Sequence, residues 1–163
     1  MLVYHGTNGD IDEICLTRGS RYKDFGQGFY VTPDIETARR MAKKKANLFG
    51  GTPTIITYEL DETALTSSEL KVLAFPEKAT SAWIRFIDDN RNRRKAYHSH
   101  QFDLVNGPIA DDGVALQLGR LRAHVDSAES IANDLQDVYL DQQICFATPR
   151  SLEYLKKQSV CQL

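Results

Sequence analysis

Apolar and polar positions recur along this chain with periods that define most of its elements. Leu2 to Tyr4 form a short apolar run, read as a strand that leads directly into His5-Gly6-Thr7. Residues 17–28 (TRGSRYKDFGQG) are polar and contain glycine, which predicts a loop, and Phe29 to Val31 predict a strand. A helix is expected from Thr32. Thr32 can cap it, Pro33 suits its first position, and Asp34 and Glu36 fall in the first turn, where the dipole favours acids. Ile35, Ala38, Met41, Ala42, Ala46 and Phe49 make its apolar stripe, with Arg39, Arg40 and Lys43 to Lys45 expected to face water and Gly50-Gly51 to end it.

Beyond the glycines, residues 53–60 (PTIITYEL) alternate and are rich in branched side chains, so they read as a strand, and residues 70–75 read as another. A helix is expected over 77–94, with Ala79, Trp83, Phe86 and Ile87 inward. Phe102 to Val105 is a further strand. Residues 111–139 are expected to be mostly helical with a break near Val125–Ser127, and Gln143 to Ala147 to form a late strand. Thr148-Pro149 repeats the Thr-Pro helix start, with Leu152 and Leu155 opening a new stripe. The strands are short, and several connections are too brief for helical crossovers. The expected fold class is therefore α+β, with two packed, mainly antiparallel sheets and surrounding helices. No G-x-G-x-x-G follows the first strand, which argues against a dinucleotide fold of the doubly wound type.

Length changes this picture little: 163 residues suit one domain, expected to span 1–163. The net charge of -2 gives no global pull toward nucleic acid or anionic membrane. Cys15, Cys145 and Cys161 are odd in number and far apart, so neither a zinc site nor a disulfide framework is expected, and all three read as free thiols. The start MLVYHG has no basic stretch followed by an apolar run, so no signal peptide is expected, nor is a membrane span; the expected location is the cytoplasm.

Three segments place polar or aromatic groups at strand ends: Tyr4-His5-Gly6-Thr7, Asp24 to Thr32 (DFGQGFYVT) and Asp141 to Phe146 (DQQICF). His5 leaves an apolar strand beside a glycine that would let a ligand approach the backbone; taken alone, the same histidine reads more readily as a satisfied structural residue. Gly26 and Gly28 flank Gln27 before Phe29 and Tyr30, which suggests a tight backbone with a ring beside it, or a plain loop and two core aromatics. Gln143 heads an apolar strand, where glutamine is ordinarily solvent-facing.

Taken together, YHGT, DFGQGFYVTPDIETA and QICF occur in the order of the ADP-ribosyltransferase superfamily. The sequence resembles its His-Tyr-Glu/Gln branch, shared by diphtheria-toxin-like and poly(ADP-ribose)-polymerase-like enzymes. More narrowly, with FDLVNGPIADD (Phe102 to Asp112) and DQQICFATPRSLEYL, nearly the whole chain is similar to a small bacterial family of uncharacterised domains. Members of that family are often suggested to be toxins of toxin–antitoxin pairs.

The resemblance implies a split-sheet fold, NAD as co-substrate and no metal, with transfer of ADP-ribose to a protein or nucleic acid and a small antitoxin as partner. It also implies residue roles. His5 would bond the adenosine ribose, Gly6 would pair through its backbone with the nicotinamide carboxamide, and Thr7 and Thr32 would add hydrogen bonds. Gly28 and Phe29 would line the site, and Tyr30 would stack on the nicotinamide. Arg18, Arg21 or Lys23 would meet the pyrophosphate. Gln143 would hold the 2′-hydroxyl of the reacting ribose, with Gln142 as an adjacent competitor. Cleavage passes through an oxocarbenium-like state, as in glycoside hydrolysis, and a glutamate at the third position can offset its charge. Gln143 cannot, which favours a single transfer over chain elongation and keeps open NAD hydrolysis or an NAD-sensing module. Asp111-Asp112 read either as a helix start or as acceptor-positioning acids, and Arg91 to Lys95 (RNRRK) as a solvated helix end or a contact for nucleic acid.

Overall fold

A computed structural model describes residues 1–94 and 99–163. Seven strands make two sheets. The first contains β1 (Leu2–Thr7), β3 (Thr54–Leu60) and β7 (Leu155–Gln162) in the order β1-β3-β7, all antiparallel. The second contains β2 (Phe29–Val31), β6 (Gln142–Phe146), β5 (Leu104–Pro108) and β4 (Val72–Ala74) in the order β2-β6-β5-β4, in which only β4–β5 is parallel. The α+β class with two mainly antiparallel sheets is thus observed. The sheets meet at the facing edges of β1 and β2, joined by a bridge in which Tyr4 and Thr32 exchange backbone hydrogen bonds of 2.8 and 2.9 Å.

Strand alternation sorts the core into two clusters. Phe29, Val31, Leu104, Ile144 and Phe146 point between the sheets and meet Val3, Ile56, Tyr58 and Leu60. Val105 and Cys145, with Tyr30 partly buried beside them, point the other way. There they meet Trp83, Ile84 and Ile87 of α2 (Ser81–Arg91), Val114 and Leu118 of α3 (Asp112–Arg122) and Ile131 of α4 (Ala128–Asp134). α1 (Ile35–Phe49) lies on the outer face of β1.

Several boundaries move, for local reasons. α1 is capped by Asp34, whose carboxylate accepts from the backbone N–H groups of Glu36 and Thr37, and not by Thr32. Pro33 keeps the residue before it extended, and Thr32 is committed to the bridge with Tyr4. The stripe of α1 is narrower than expected: Thr37, Ala38 and Ala42 are buried, whereas Ile35, Met41 and Phe49 are exposed. The strand expected at Phe102 starts at Leu104 and runs on to Pro108. The helix expected from Thr148-Pro149 stops after one turn, α5 (Pro149–Leu152), because the Thr148 hydroxyl bonds Asp103 (2.7 Å) and caps nothing. The chain then becomes β7, an exposed edge strand without an apolar stripe that pairing with β3 holds in place. A short 3₁₀ turn at Glu62–Thr66 also had no sequence expectation. Asp111 caps α3 by accepting from Val114 N–H (3.0 Å), so the helix-start reading of Asp111-Asp112 is the one observed. No described helix is long and apolar enough to cross a membrane. Cys15, Cys145 and Cys161 are free thiols.

Candidate functional site at the seam between the sheets

The β1/β2 seam brings two of the three singled-out segments side by side, and β6 supplies the third. Tyr30 pairs with Cys145 across β2–β6, and Gln143 lies two residues along the same strand, so Tyr30 and Gln143 share one face as diagonal neighbours. Gln142 faces the other way and its amide bonds the carbonyls of Glu77 and Leu140. His5 reaches the group across the seam. Its Nδ1 lies 2.6 Å from the Tyr30 carbonyl oxygen, and its ring stacks on Phe29 (centroids 4.5 Å apart, planes at 23°).

These contacts fix the imidazole's tautomer. The Tyr30 carbonyl only accepts, so Nδ1 carries the hydrogen. The Lys45 ammonium only donates and stands 3.3 Å from Nε2, so Nε2 offers its lone pair. Burial, reinforced by the charge of Lys45, pulls the His5 value down to about 3 against the opposing effect of the Tyr30 carbonyl. The ring is therefore neutral at physiological pH. Lys45 also donates to the Gly6 carbonyl (2.7 Å), and burial and the charge of Lys23 hold its own value at about 8. It was expected to face water. Its position three residues after Ala42 and seven after Ala38 puts it on the buried face of α1, so helical spacing alone could have found it.

Tyr30 is clamped through its hydroxyl, which donates to the Gly26 carbonyl (2.6 Å) and accepts from Phe25 N–H (3.1 Å). Burial pushes its phenol well above the ordinary value, so it stays protonated. Phe25 lies roughly parallel to its ring at 6.4 Å, and the Lys23 ammonium stands over the ring, 4.8 Å from the centroid. Burial lowers the Lys23 value, with Asp24 acting against it. Among the described residues, no carboxylate pairs with either Lys23 or Lys45, and Lys23 makes no hydrogen bond.

Beside this group lies a closed polar knot. The Gln143 side chain is buried and its amide N–H₂ donates to Asp24 Oδ2 (2.8 Å) and to the Pro108 carbonyl (3.3 Å). Both partners are acceptors, so the amide orientation is forced and Oε1 is the part left for a ligand. Asp24, also buried, accepts from Arg91 Nε (2.6 Å) and from Ala110 N–H (2.8 Å), and Arg91 donates onward to the Ala110 carbonyl (2.8 Å). Arg91 had been read as part of an exposed basic end; it turns inward. Arg93 lies 5.1 Å from the Tyr22 ring centroid, and Lys95 is outside the described residues. Asp24 carries no signal in the sequence, since its partners come from α2 and β5–β6 and leave no local pattern.

The remaining expected residues sort into walls and frame. Gly6 is required by packing: a Cβ there would stand 2.1 Å from the Ala38 carbonyl oxygen of α1, and its own carbonyl accepts from Lys45. Gly28 is required by β6, since a Cβ would meet the Phe146 carbonyl at 2.6 Å and Cys145 Sγ at 2.7 Å. Phe29 backs His5 from within the core and meets Tyr58 edge-on at 5.5 Å. Thr7 and Thr32 are buried in the frame, with Thr32 Oγ1 accepting from Asp34 N–H (3.2 Å). Arg18 and Arg21 are exposed in the loop. A cavity of about 470 Å³ opens elsewhere, with Gln27, His100, Asp103, Thr148 and Arg150 among its walls; none of His5, Tyr30 or Gln143 lines it.

The molecule is thus an α+β protein of two edge-joined sheets, with a clamped tyrosine and a buried amide on one face of β2–β6 and a neutral histidine bonded to the tyrosine's carbonyl from the neighbouring strand. Its sequence matches, over residues 1–157, the family described as "Protein of unknown function (DUF3990)", and the chain belongs to that family. No curated protein and no solved structure matches it.

Proposed function

We propose that the seam binds NAD and that the protein transfers its ADP-ribose to a protein or nucleic-acid acceptor as a mono-ADP-ribosyltransferase. The observation that carries this reading is the convergence of His5, Tyr30 and Gln143, 138 positions apart at their extremes by sequence number, on three neighbouring strands. Their chemistry suits a dinucleotide. The neutral His5 can present Nε2 as an acceptor to a ribose hydroxyl, Tyr30 offers a ring face, and Gln143 Oε1 can accept from a second ribose hydroxyl. NAD supplies the activated bond between ribose and nicotinamide. The acceptor's nucleophile takes the ribose, nicotinamide leaves with the bonding electron pair, and the acceptor's proton passes to solvent.

The residues also limit the rate. Gln143 carries no charge, and the nearest carboxylate, Asp24, is neutralised by Arg91 and lies behind the amide. Positive charge developing on the ribose is therefore met by dipoles only, which supports one slow transfer over chain elongation. The same weakness favours, as second reading, NAD binding with little turnover. A toxin held in check by a small antitoxin is the biological setting in which a single slow modification suffices.

The test is incubation of the protein with labelled NAD and cell lysate. Label that enters macromolecules and is released by protease or by nuclease identifies the acceptor class. Free ADP-ribose as the sole product establishes hydrolysis. Label should fall to background with His5→Ala and Tyr30→Ala; binding of NAD without turnover in the unaltered protein would replace the enzyme by a sensor.

A further inference from the structure

Two lysines cover the groups that the proposed function assigns to the dinucleotide. Lys45 covers His5 Nε2, and Lys23 covers the face of Tyr30. They are linked in space by a chain of contacts: Lys23 over the Tyr30 ring, the Tyr30 carbonyl on His5 Nδ1, and His5 Nε2 against Lys45. Neither forms an ion pair with an acid among the described residues, although both are largely withdrawn from water; Asp24 acts on Lys23 only at a distance, and the charge of Lys23 bears on Lys45. The loop's one buried carboxylate, Asp24, is spent on Arg91. Two half-buried cations that share no direct ion pair are costly unless an anion joins them.

We propose that Lys23 and Lys45 together bind a phosphate or diphosphate group, and that on its arrival Lys45 leaves the imidazole and Lys23 leaves the phenol ring, opening both for the rest of the ligand. The anion supplies what each ammonium now lacks: several strong acceptor oxygens in place of one ring nitrogen or a π face. Lys45 has four side-chain carbons and pivots near the carbonyl of Gly6, so it can exchange Nε2 for a phosphate oxygen while the helix stays put. In this arrangement the lysines are counter-ions that hold the site in the absence of ligand and report its entry. The anion site stands on the lysines alone; its reading as the diphosphate of a dinucleotide rests on the function proposed above.

The experiment uses inorganic pyrophosphate and, separately, NAD, titrated calorimetrically into the full chain and into Lys23→Met, Lys45→Met and Lys45→Arg. Pyrophosphate should bind the unaltered protein, and each methionine variant should weaken it about tenfold or more, the loss of a charge-assisted contact, while Lys45→Arg retains most of it. In the unaltered protein, pyrophosphate should also move the His5 Nε2 nitrogen resonance downfield as its donor departs, a readout that needs no variant to fold. Pyrophosphate binding that is absent at millimolar concentration, or unchanged in both methionine variants, overturns the proposal, as does an unmoved Nε2 resonance at saturation. Lysine-dependent pyrophosphate binding with no NAD binding keeps the anion site and removes the dinucleotide reading. NAD binding indifferent to both lysines does the reverse.

Discussion

Two polar clusters lie within one strand's width of each other and solve the burial of charge in opposite ways. In the knot of Asp24, Arg91, Gln143 and Ala110, the carboxylate has a guanidinium and the amide hydrogens have acceptors. At the seam, two lysines crowd a neutral imidazole and a phenol with no acid in direct ion-pair contact among the described residues. A satisfied network is a brace: it pins the Asp24–Gly28 loop to α2 and to β5–β6 and gains nothing from a ligand. An unbalanced one can gain from an incoming anion, as the proposed site requires. The contrast gives Asp24 and Arg91 a scaffold role, leaves His5, Tyr30, Lys23 and Lys45 as the proposed binding groups, and places the Gln143 nitrogen in the brace.

The sharpest way to break this comparison is Arg91→Met. It leaves a buried carboxylate without its guanidinium partner, and stability should fall by about 3–5 kcal/mol in urea denaturation. A loss below about 1 kcal/mol would mean that the knot is not a brace. Next in size is Gly6→Ala. Its methyl would collide with the Ala38 carbonyl and push α1 outward, at a cost on the order of 1–3 kcal/mol, and a neutral result would show that α1 does not rest on β1 as described.

Smaller effects come from protons. The folded Lys45 value, about 8, lies below the ordinary 10.5. Between those pH values the unfolded chain keeps a proton that the folded chain has lost, so stability rises with pH across that window. Subtracting the stability curve of Lys45→Met from that of the unaltered protein should isolate this rise; a flat difference would place Lys45 in water. His5 gives a second window at lower pH. Its value falls from 6.5 to about 3 on folding, so below pH 6.5 the unfolded chain gains a proton that the folded chain refuses. Stability therefore drops as the pH falls toward 3, and the pH profile should be shallower in His5→Gln.

What could be read in advance follows the range of the interactions. Strands at Leu2, Phe29, Pro53 and Gln143, and helices around Met41, Trp83 and Ile131, are carried by local period and were legible. Motif order singled out His5, Tyr30 and Gln143, whose strands lie next to one another. The brace was not legible, because Asp24 and Arg91 are 67 positions apart and nothing local marks them as a pair. β7 was missed because an edge strand with both faces exposed has no apolar alternation to show, and its pairing with β3 decides its form. Lys45 is the instructive error. A three-lysine run reads as solvated, yet only the third lies in line with Ala38 and Ala42, and a stripe drawn by angle instead of by apolarity would have included it.

The central claim is that the seam, and not the cavity beside Asp103 and Arg150, receives NAD. Titration of NAD into isotope-labelled protein, followed by nuclear magnetic resonance, tests it directly. The account predicts perturbations centred on His5, Gly6, Tyr30, Lys45 and the Gln143 side chain. Shifts confined to Gln27, His100, Asp103 and Thr148, or no shifts at millimolar NAD, would contradict it.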